Sequence, residues 1–255
     1  MATPTRTHEH LDLDPPPIAR PAVDLFHRDP PLTPSRFFFH PVVFVLTIGL
    51  VVGLAALAAV DGGSVLDTVD RPVARWIADH RTDGWTHLFN VTSHLGDNIV
   101  VFSLAVVLAA LTVRRCRFLA IALLLAAAVR PGVEFVLKAV VDRTRPDIAP
   151  LGEFHGPSHP SGHPMAAASL WGLMPAFVAL HIRSRFAWWA TVGASGLIIA
   201  SVAAARTYKG AHYLTDVIAA LAWAGLYLAC VQGVFDRMHH ERDCAHPQHE
   251  VQAGS

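Results

Sequence analysis

The chain alternates long apolar segments with short polar connections. Six such segments predict helices, over residues 41–60, 99–113, 118–137, 165–182, 186–205 and 217–235. About 20 apolar residues in a helix cross the roughly 30 Å hydrocarbon core of a bilayer. The second segment is short, and the polar residues 90–98 extend it at one end. Because backbone polar groups inside lipid must bond within their own segment, the pattern predicts an all-α fold, a bundle of six transmembrane helices.

Between the first two segments, residues 66–85 show the pattern of an amphipathic helix. Val69 and Trp76 are apolar, whereas Asp70 and Arg75 are charged. Such a helix lies in the plane of the membrane interface, where tryptophan is also enriched. We therefore expect an interfacial helix between spans one and two.

The two ends of the chain differ from this central part. Residues 1–40 are rich in proline, aspartate and histidine, a composition typical of a disordered tail. Residues 238–255 form a second polar tail, which is rich in histidine. The predicted organisation is one membrane domain, residues 41–237, between two tails.

The composition also indicates an integral membrane protein. Hydrophobic residues make up 53% of the 255 residues and charged residues only 16%, whereas soluble domains carry about 25% charged residues. The 20 lysines and arginines balance the 20 aspartates and glutamates. No nucleic-acid partner is expected from this charge balance, and the predicted partner is the lipid bilayer.

Basic residues predict the orientation in the membrane. The turns at residues 114–117 and 183–185 are basic, and Arg237 and Arg242 follow the last apolar segment. Positive charge is enriched on the cytoplasmic side of multi-pass proteins, so we expect these turns and both tails to be cytoplasmic. The connections after spans one, three and five then face outward.

Three polar stretches lie in the outward connections, and the last of them holds Arg206, His212 and Asp216. Ionisable residues at such positions mark functional sites in membrane proteins. On a helix, His212 and Asp216 would face the same way, and a carboxylate behind an imidazole fixes its tautomer and makes it more nucleophilic. Arg206 adds a planar fork suited to phosphate oxygens. A snorkelling arginine and a capping aspartate are the structural alternative.

The two earlier stretches add further anion-binding groups. Lys138 and Arg145 are cations that cannot neutralise each other and need an anion, although snorkelling of the lysine is an alternative. Gly162 lets backbone amides approach a ligand at a helix start, which is an anion site. Ser161 offers a hydroxyl and His163 a proton near neutral pH, although a capped turn is the simpler interpretation. Together the three stretches predict a phosphoryl-transfer site without a metal or cofactor.

The spacing of these residues forms a three-part signature. Its parts are Lys138 and Arg145 with six residues between them, residues 160–163 (Pro-Ser-Gly-His), and Arg206, His212 and Asp216 with five and three residues between them. In this order the signature resembles that of the type 2 phosphatidic acid phosphatase (lipid phosphate phosphatase) family, which includes the vanadium haloperoxidases.

The resemblance implies a role for each residue. His212 would attack phosphorus and form a phosphohistidine, Asp216 would orient it, and His163 would protonate the leaving oxygen. The remaining residues would hold the phosphate: Lys138, Arg145, Ser161, Gly162 and Arg206. One position departs from the family pattern, since Ala205 stands where a serine is usual, and one hydroxyl contact to the phosphate is lost.

The expected function is that of a metal-independent lipid phosphate phosphatase in a bacterial plasma membrane, with its active site facing outward. The resemblance implies a lipid phosphomonoester or diphosphate as substrate: phosphatidic acid, phosphatidylglycerol phosphate or a polyprenyl diphosphate such as undecaprenyl diphosphate. A vanadate-dependent peroxidase is one alternative, although such relatives are usually soluble and larger. A non-catalytic phospholipid-binding or transport protein is the other. The sequence indicates no oligomeric state.

Two further patterns involve charged residues near these stretches. Arg130, Glu134 and Lys138 recur every four residues on one face of the third span. They predict a buried ion pair, and a substrate relay is the alternative. Three histidines before the fourth span also recur every four residues, but prolines and a glycine between them exclude a helix, so no metal site is expected there.

Overall fold

The computed structural model describes residues 41–60, 64–182 and 184–238, which form ten α-helices and no β-strand. The helices are α1 (Pro41–Ala59), α2 (Ser64–Asp79), α3 (Asp83–Ser93), α4 (Asn98–Thr112), α5 (Arg117–Ala128), α6 (Arg130–Val141), α7 (Gly162–Trp171), α8 (Met174–His181), α9 (Arg185–Tyr208) and α10 (Leu214–Met238). A short 3₁₀ helix, His94–Gly96, lies between α3 and α4. Apart from Met238, the predicted tails lie outside the described residues.

Four helical stretches in the described part of the chain are long and apolar enough to cross a membrane. They are Arg117–Val141 (α5 with α6), Gly162–His181 (α7 with α8), Arg185–Tyr208 and Leu214–Val234. The number is six when each of two bent pairs counts as one span: α1 with α2, and α3 with α4, which is bent by 49°. The predicted all-helical membrane bundle is confirmed, with four to six candidate spans.

Proline interrupts two of the predicted spans. Pro131 stands in the first turn of α6, directly after α5, and Pro175 stands in the first turn of α8, directly after α7. Proline has no N–H to donate to the preceding turn, but it is well tolerated where a helix begins. The helix therefore restarts at these points, and Arg130, the first residue of α6, is buried at one of them.

Small and medium-sized apolar residues fill the centre of the bundle, where α4, α5 and α7 meet. Ala105, Leu123, Ala166 and Leu170 are fully buried there. Small side chains let helices approach closely in a membrane, where dispersion contacts rather than the hydrophobic effect hold them together. The outside of the bundle is apolar as well, and Ile99 is 81% exposed. This surface suits contact with lipid tails.

A helix, α2, is present where the interfacial helix was predicted, and one of its charged residues is turned toward the protein. Asp70 on α2 is buried, whereas Val69 and Trp76 are 54% and 63% exposed. The exposed apolar side chains are therefore available to lipid, whereas Asp70 is available to neighbouring segments and Arg75 remains exposed.

The predicted end of this helix is wrong, because residues 66–85 form parts of two helices. α2 ends at Asp79 and α3 begins at Asp83. The hydroxyl of Thr82 accepts a hydrogen bond from the amide of Trp85 at 3.4 Å. Threonine is a favourable N-cap residue, so it starts a new helix instead of continuing the old one.

The basic turns and the polar stretches lie at opposite ends of the bundle. At one end, Arg115 in the turn between α4 and α5 donates a hydrogen bond to the carbonyl of Leu180 at the end of α8, at 3.3 Å. At the other end, Arg145 after α6 donates one to the carbonyl of Ala211 before α10, at 2.8 Å. The fold therefore places the basic turns and the polar stretches at opposite ends, as the predicted membrane topology requires. Which set faces outward stays a prediction.

We expect an impermeant thiol reagent applied to intact cells to label Glu153→Cys but not Arg114→Cys. Both positions are exposed, and they lie at opposite ends of the bundle, so labelling depends on the side of the membrane. The parent protein without an introduced cysteine sets the background. Labelling after lysis shows that both variants are reactive. Labelling of position 114 alone in intact cells would place the polar end inside the cell.

Candidate active site

Segments from four helix ends meet at the polar end of the bundle. After α6 the chain runs through a loop of residues 142–161 before α7 begins. α10 begins after a turn at Gly210, whose φ of 68° favours glycine. The amide of Ser161 donates a hydrogen bond to the carbonyl of Asp216 at 3.2 Å. This bond joins the start of α7 to the start of α10 and brings the second and third polar stretches together.

His212 is held through both ring nitrogens. Its Nδ1 lies 2.7 Å from the carbonyl oxygen of Ser158, so the hydrogen-bond network assigns the proton to Nδ1. Its Nε2 lies 3.2 Å from Nη1 of Arg145, which donates toward it. The arrangement fixes one tautomer, with the lone pair of Nε2 facing a predicted phosphate-binding cation.

Burial keeps this imidazole neutral. Desolvation lowers the pKa of His212 well below its ordinary value; the carboxylate of Asp216 opposes the shift, and the charges of Arg145, Arg206 and Lys138 add to it. At neutral pH the ring therefore carries a free lone pair, as a nucleophile requires.

Asp216 makes no direct hydrogen bond to the His212 ring, although the four-residue spacing predicted that the two side chains face the same way. Its Oδ2 lies 4.0 Å from Nδ1 of His212. It accepts hydrogen bonds from the hydroxyl of Ser158 at 2.5 Å and from the amide of Tyr213 at 3.0 Å. His212 precedes the first residue of α10, so helical side-chain geometry does not apply to this pair. Asp216 is connected to the ring through Ser158, whose carbonyl accepts the hydrogen bond from Nδ1 of His212.

A buried ion-pair network lies behind Asp216, and none of the sequence patterns indicated it. The fully buried guanidinium of Arg143 lies 2.9 Å from Oδ1 of Asp216 and 2.9 Å from Oδ2 of Asp70. Thr215 donates its hydroxyl to Asp70 at 2.5 Å and accepts from Arg143 at 2.8 Å. Burial lowers the pKa of Arg143, but the carboxylates of Asp216 and Asp70 raise it more. The network fixes the carboxylate of Asp216 from the side away from His212.

Two of the predicted phosphate-binding groups are buried without a partner. Nε of Arg206 and the hydroxyl of Ser161 make no hydrogen bond within the described part of the chain. Buried polar groups in folded proteins are bonded as a rule, so these donors suit a bound anion. Ala205, which replaces the serine usual in the family, is fully buried beside Arg206 and offers no hydroxyl.

Arg145 and Arg206 converge on one aromatic ring. Their guanidinium carbons lie 6.0 Å and 5.5 Å from the ring centre of Phe154, which no sequence pattern singled out. Arg145 is fixed by the carbonyl of Gly156, which accepts from its Nε at 2.9 Å. Two cations held near one ring repel each other, so an anion that bridges them is favourable.

Lys138 is paired with a carboxylate. Its Nζ lies 2.7 Å from Oε1 of Glu134, and Oε2 of Glu134 lies 2.5 Å from Nη1 of Arg130. The predicted ion pair on the third span is therefore present and extends to Lys138. A side chain at Gly162 would collide with the Glu134 carboxylate. The glycine thus makes room for Glu134, a reason for its presence that the sequence did not suggest.

His163 also has a carboxylate partner, contributed by a different part of the chain. Its Nε2 lies 2.9 Å from Oδ1 of Asp97. Asp97 lies in the polar residues 90–98, which were predicted only to extend the second span. The pairing of Asp97 with His163 joins residues that lie 66 positions apart in the sequence.

Within residues 41–60, 64–182 and 184–238, no group of three or more His, Cys, Asp or Glu residues is arranged to hold a metal ion. The histidines before α7 are separated in space. His155 is exposed near Glu153, whereas His159 is buried with Nδ1 3.2 Å from Asp216. His159 thus belongs to the network around Asp216.

Comparison with known proteins gives a family match for part of the chain. Residues 117–239 match the PAP2 superfamily. The chain contains a PAP2 superfamily domain. Phosphatidylglycerophosphatase B of Bacillus subtilis (strain 168) is 33% identical over 109 residues, which cover 42% of this chain and 53% of that relative. The match thus spans about half the length of the relative.

The chain is also similar in fold to a protein of known structure. That protein is the first transmembrane PAP2 type phosphatidylglycerolphosphate phosphatase from Bacillus subtilis, whose crystal structure is known. The two chains are 24% identical with a TM-score of 0.69, over 76% of this chain and 96% of the other. The likeness shows that the two chains share a fold.

In the PAP2 domain, we expect Glu134→Leu to destabilise the protein by about 3–5 kcal/mol, because it leaves the buried cation Arg130 without its carboxylate. Adding Arg130→Leu should restore part of the loss. Thermal unfolding in detergent ranks the variants, and Glu153→Leu, at an exposed carboxylate, is the control. A double variant no more stable than Glu134→Leu alone would show that the ion pair is not the source of the effect.

Proposed function

We propose that this protein is a metal-independent lipid phosphate phosphatase that works through a phosphohistidine at His212. The observation that carries the proposal is the geometry of that ring. Nδ1 is bonded to the carbonyl of Ser158, and Nε2 faces the guanidinium of Arg145. A phosphate oxygen bound by Arg145 would bring phosphorus next to the nucleophilic nitrogen.

Each bond change in the reaction has a supporting residue. Nε2 of His212 attacks phosphorus while the bond to the lipid oxygen breaks, and His163 gives that oxygen a proton, so a lipid alcohol leaves. Arg145, Arg206 and Ser161 would stabilise the charge on the equatorial oxygens. Water then attacks the phosphohistidine, His163 takes up its proton, and inorganic phosphate leaves with His212 restored.

The other predicted residues contribute around this centre. The backbone amides at Gly162 and at the start of α7 form an anion-binding helix end. Lys138 would reach the phosphate by exchanging its bond to Glu134 for one to a phosphate oxygen. Asp216 keeps Ser158, and through it the tautomer of His212, in place during the reaction.

The proposed substrate is a phosphate carried by a lipid. The site lies at one end of a bundle whose outside is apolar. A lipid whose chains remain in the bilayer can therefore present its head group there. The name of the relative favours phosphatidylglycerol phosphate, and phosphatidic acid and polyprenyl diphosphates are the other two candidates. We place the protein in a bacterial plasma membrane with this end facing outward.

Phosphate release by the purified protein from these three substrates tests the proposed function. We expect turnover that survives EDTA, is inhibited by vanadate, and is lost in His212→Ala. Binding of the lipids without phosphate release would favour a phospholipid-binding or transport protein. Oxidation of bromide by peroxide after vanadate is added, without phosphatase activity, would favour the peroxidase alternative. Activity that requires added Mg²⁺ after EDTA would contradict the metal-independent mechanism.

The phosphohistidine predicts a covalent label. After an acid-free quench with a substrate labelled in its phosphate, we expect base-stable, acid-labile radioactivity on the wild-type protein and on His163→Ala. The label should be absent from His212→Ala, because the attacking nitrogen is gone. His181→Ala, which alters a histidine at the end of α8 and at the other end of the bundle, is the control for a general loss of histidine. Equal labelling of His212→Ala would show that another residue is the nucleophile.

A further inference from the structure

A series of hydrogen-bonded side chains leads to His163, the proposed acid. The proposed phosphate site does not explain why this series is present. Oδ1 of Asp97 lies 2.9 Å from Nε2 of His163, and Oδ2 lies 2.7 Å from Nδ1 of His94. The side chain of His94 is 71% exposed, and that of His163 is 31% exposed. This series of side chains thus runs inward from the protein surface.

The segment that carries Asp97 is packed tightly against α7. A Cβ on Gly96 would lie 2.9 Å from the carbonyl oxygen of His163 and 2.8 Å from Cγ1 of Val202. Nε1 of Trp171 donates a hydrogen bond to the carbonyl of Leu95 at 3.1 Å. These contacts fix the backbone on the amino-terminal side of Asp97 relative to His163. The carboxylate therefore has a defined position, unlike that of a freely rotating surface residue.

The charges around His163 single out Asp97. The ring faces Asp97 before α4, Glu134 on α6 and Arg206 on α9. Of the two carboxylates, Asp97 makes a hydrogen bond to the ring, whereas Glu134 is bonded to Lys138 and Arg130. Within the described part of the chain, Nδ1 of His163 makes no hydrogen bond. Nδ1 is thus the ring nitrogen left for proton exchange.

We propose that Asp97 is the positioning residue of the acid–base histidine. Its carboxylate accepts a hydrogen bond from Nε2–H of His163 throughout the reaction and stabilises the doubly protonated ring, so that Nδ1–H gives its proton to the leaving lipid oxygen and Nδ1 later takes one from the attacking water. His94 holds the second carboxylate oxygen and keeps Asp97 turned toward His163. This inference rests on the proposed phosphatase function and names the residue that sets the proton-donating nitrogen.

The proposal predicts a loss that depends on the leaving group. General acid catalysis contributes roughly 10²–10⁴-fold, so we expect Asp97→Asn to lower kcat/KM for a lipid phosphomonoester by about tenfold or more. An activated aryl phosphate, such as p-nitrophenyl phosphate, has a leaving oxygen that needs no proton, so its kcat/KM should change less than threefold, a limit of about 0.65 kcal/mol. Asp97→Glu should recover part of the lost activity, because a carboxylate is restored.

A double-variant comparison separates positioning from general destabilisation. In a His163→Ala background, Asp97→Asn should have no further effect on the lipid substrate, because the residue that it positions is absent. His94→Gln should give a smaller loss than Asp97→Asn. Asp79→Asn, which alters an exposed carboxylate at the end of α2, is the matched control and should leave both activities unchanged.

The outcomes distinguish this inference from the proposed function. A wild-type protein without phosphatase activity would refute the function itself. An active wild type whose Asp97→Asn variant retains full activity on the lipid substrate would refute only the positioning role. Equal loss on both substrates, without recovery in Asp97→Glu, would assign Asp97 to the stability of the fold and would also overturn the proposal. Turnover of the aryl phosphate shows in each case whether the variant is folded.

Discussion

The ion pairs of the buried Arg143 guanidinium are the interaction on which the His212 side of the site depends. This guanidinium lies between Asp70 of α2 and Asp216 of α10, and all three side chains are fully buried. A charge can be kept in such a place only when opposite charges and hydrogen bonds surround it. The requirement ties the interfacial helix, the loop after α6 and the start of α10 to one another. Through Asp216 and Ser158 it also determines the orientation of His212.

The distribution of paired and unpaired cations indicates where an anion would bind. Arg143, Lys138 and Arg130 each lie beside a carboxylate. Arg145 and Arg206 instead bond to backbone carbonyls, face Phe154 or leave a donor unpaired. The uncompensated positive charge is therefore concentrated next to Nε2 of His212, where a phosphoryl group would be transferred. In a site with little water, such fixed charges act strongly on a developing negative charge.

In the proposed function, the fold places the site where a membrane lipid can reach it. The PAP2 domain gathers its polar loops at one end of a bundle whose sides are apolar, so polar and lipid-facing surfaces adjoin. The same reasoning explains why α2 turns the charged residue Asp70 inward. Asp70 neutralises Arg143, and the exposed Val69 and Trp76 suit the lipid interface. One amphipathic helix thus serves both the electrostatics of the site and the outer surface.

The sequence by itself determined the all-helical membrane class, most helix positions and the residues of the three polar stretches. Those features follow from local properties: apolar length, proline and glycine positions, and the spacing of ionisable residues. The tertiary structure alone decided which residues are partners. Arg143 meets Asp70 across 73 positions and His163 meets Asp97 across 66, and no local pattern encodes such distances. The tertiary structure also connects Asp216 to His212 through hydrogen bonds of Ser158 instead of a direct bond. The helical spacing rule does not apply to this pair, because α10 begins after the histidine.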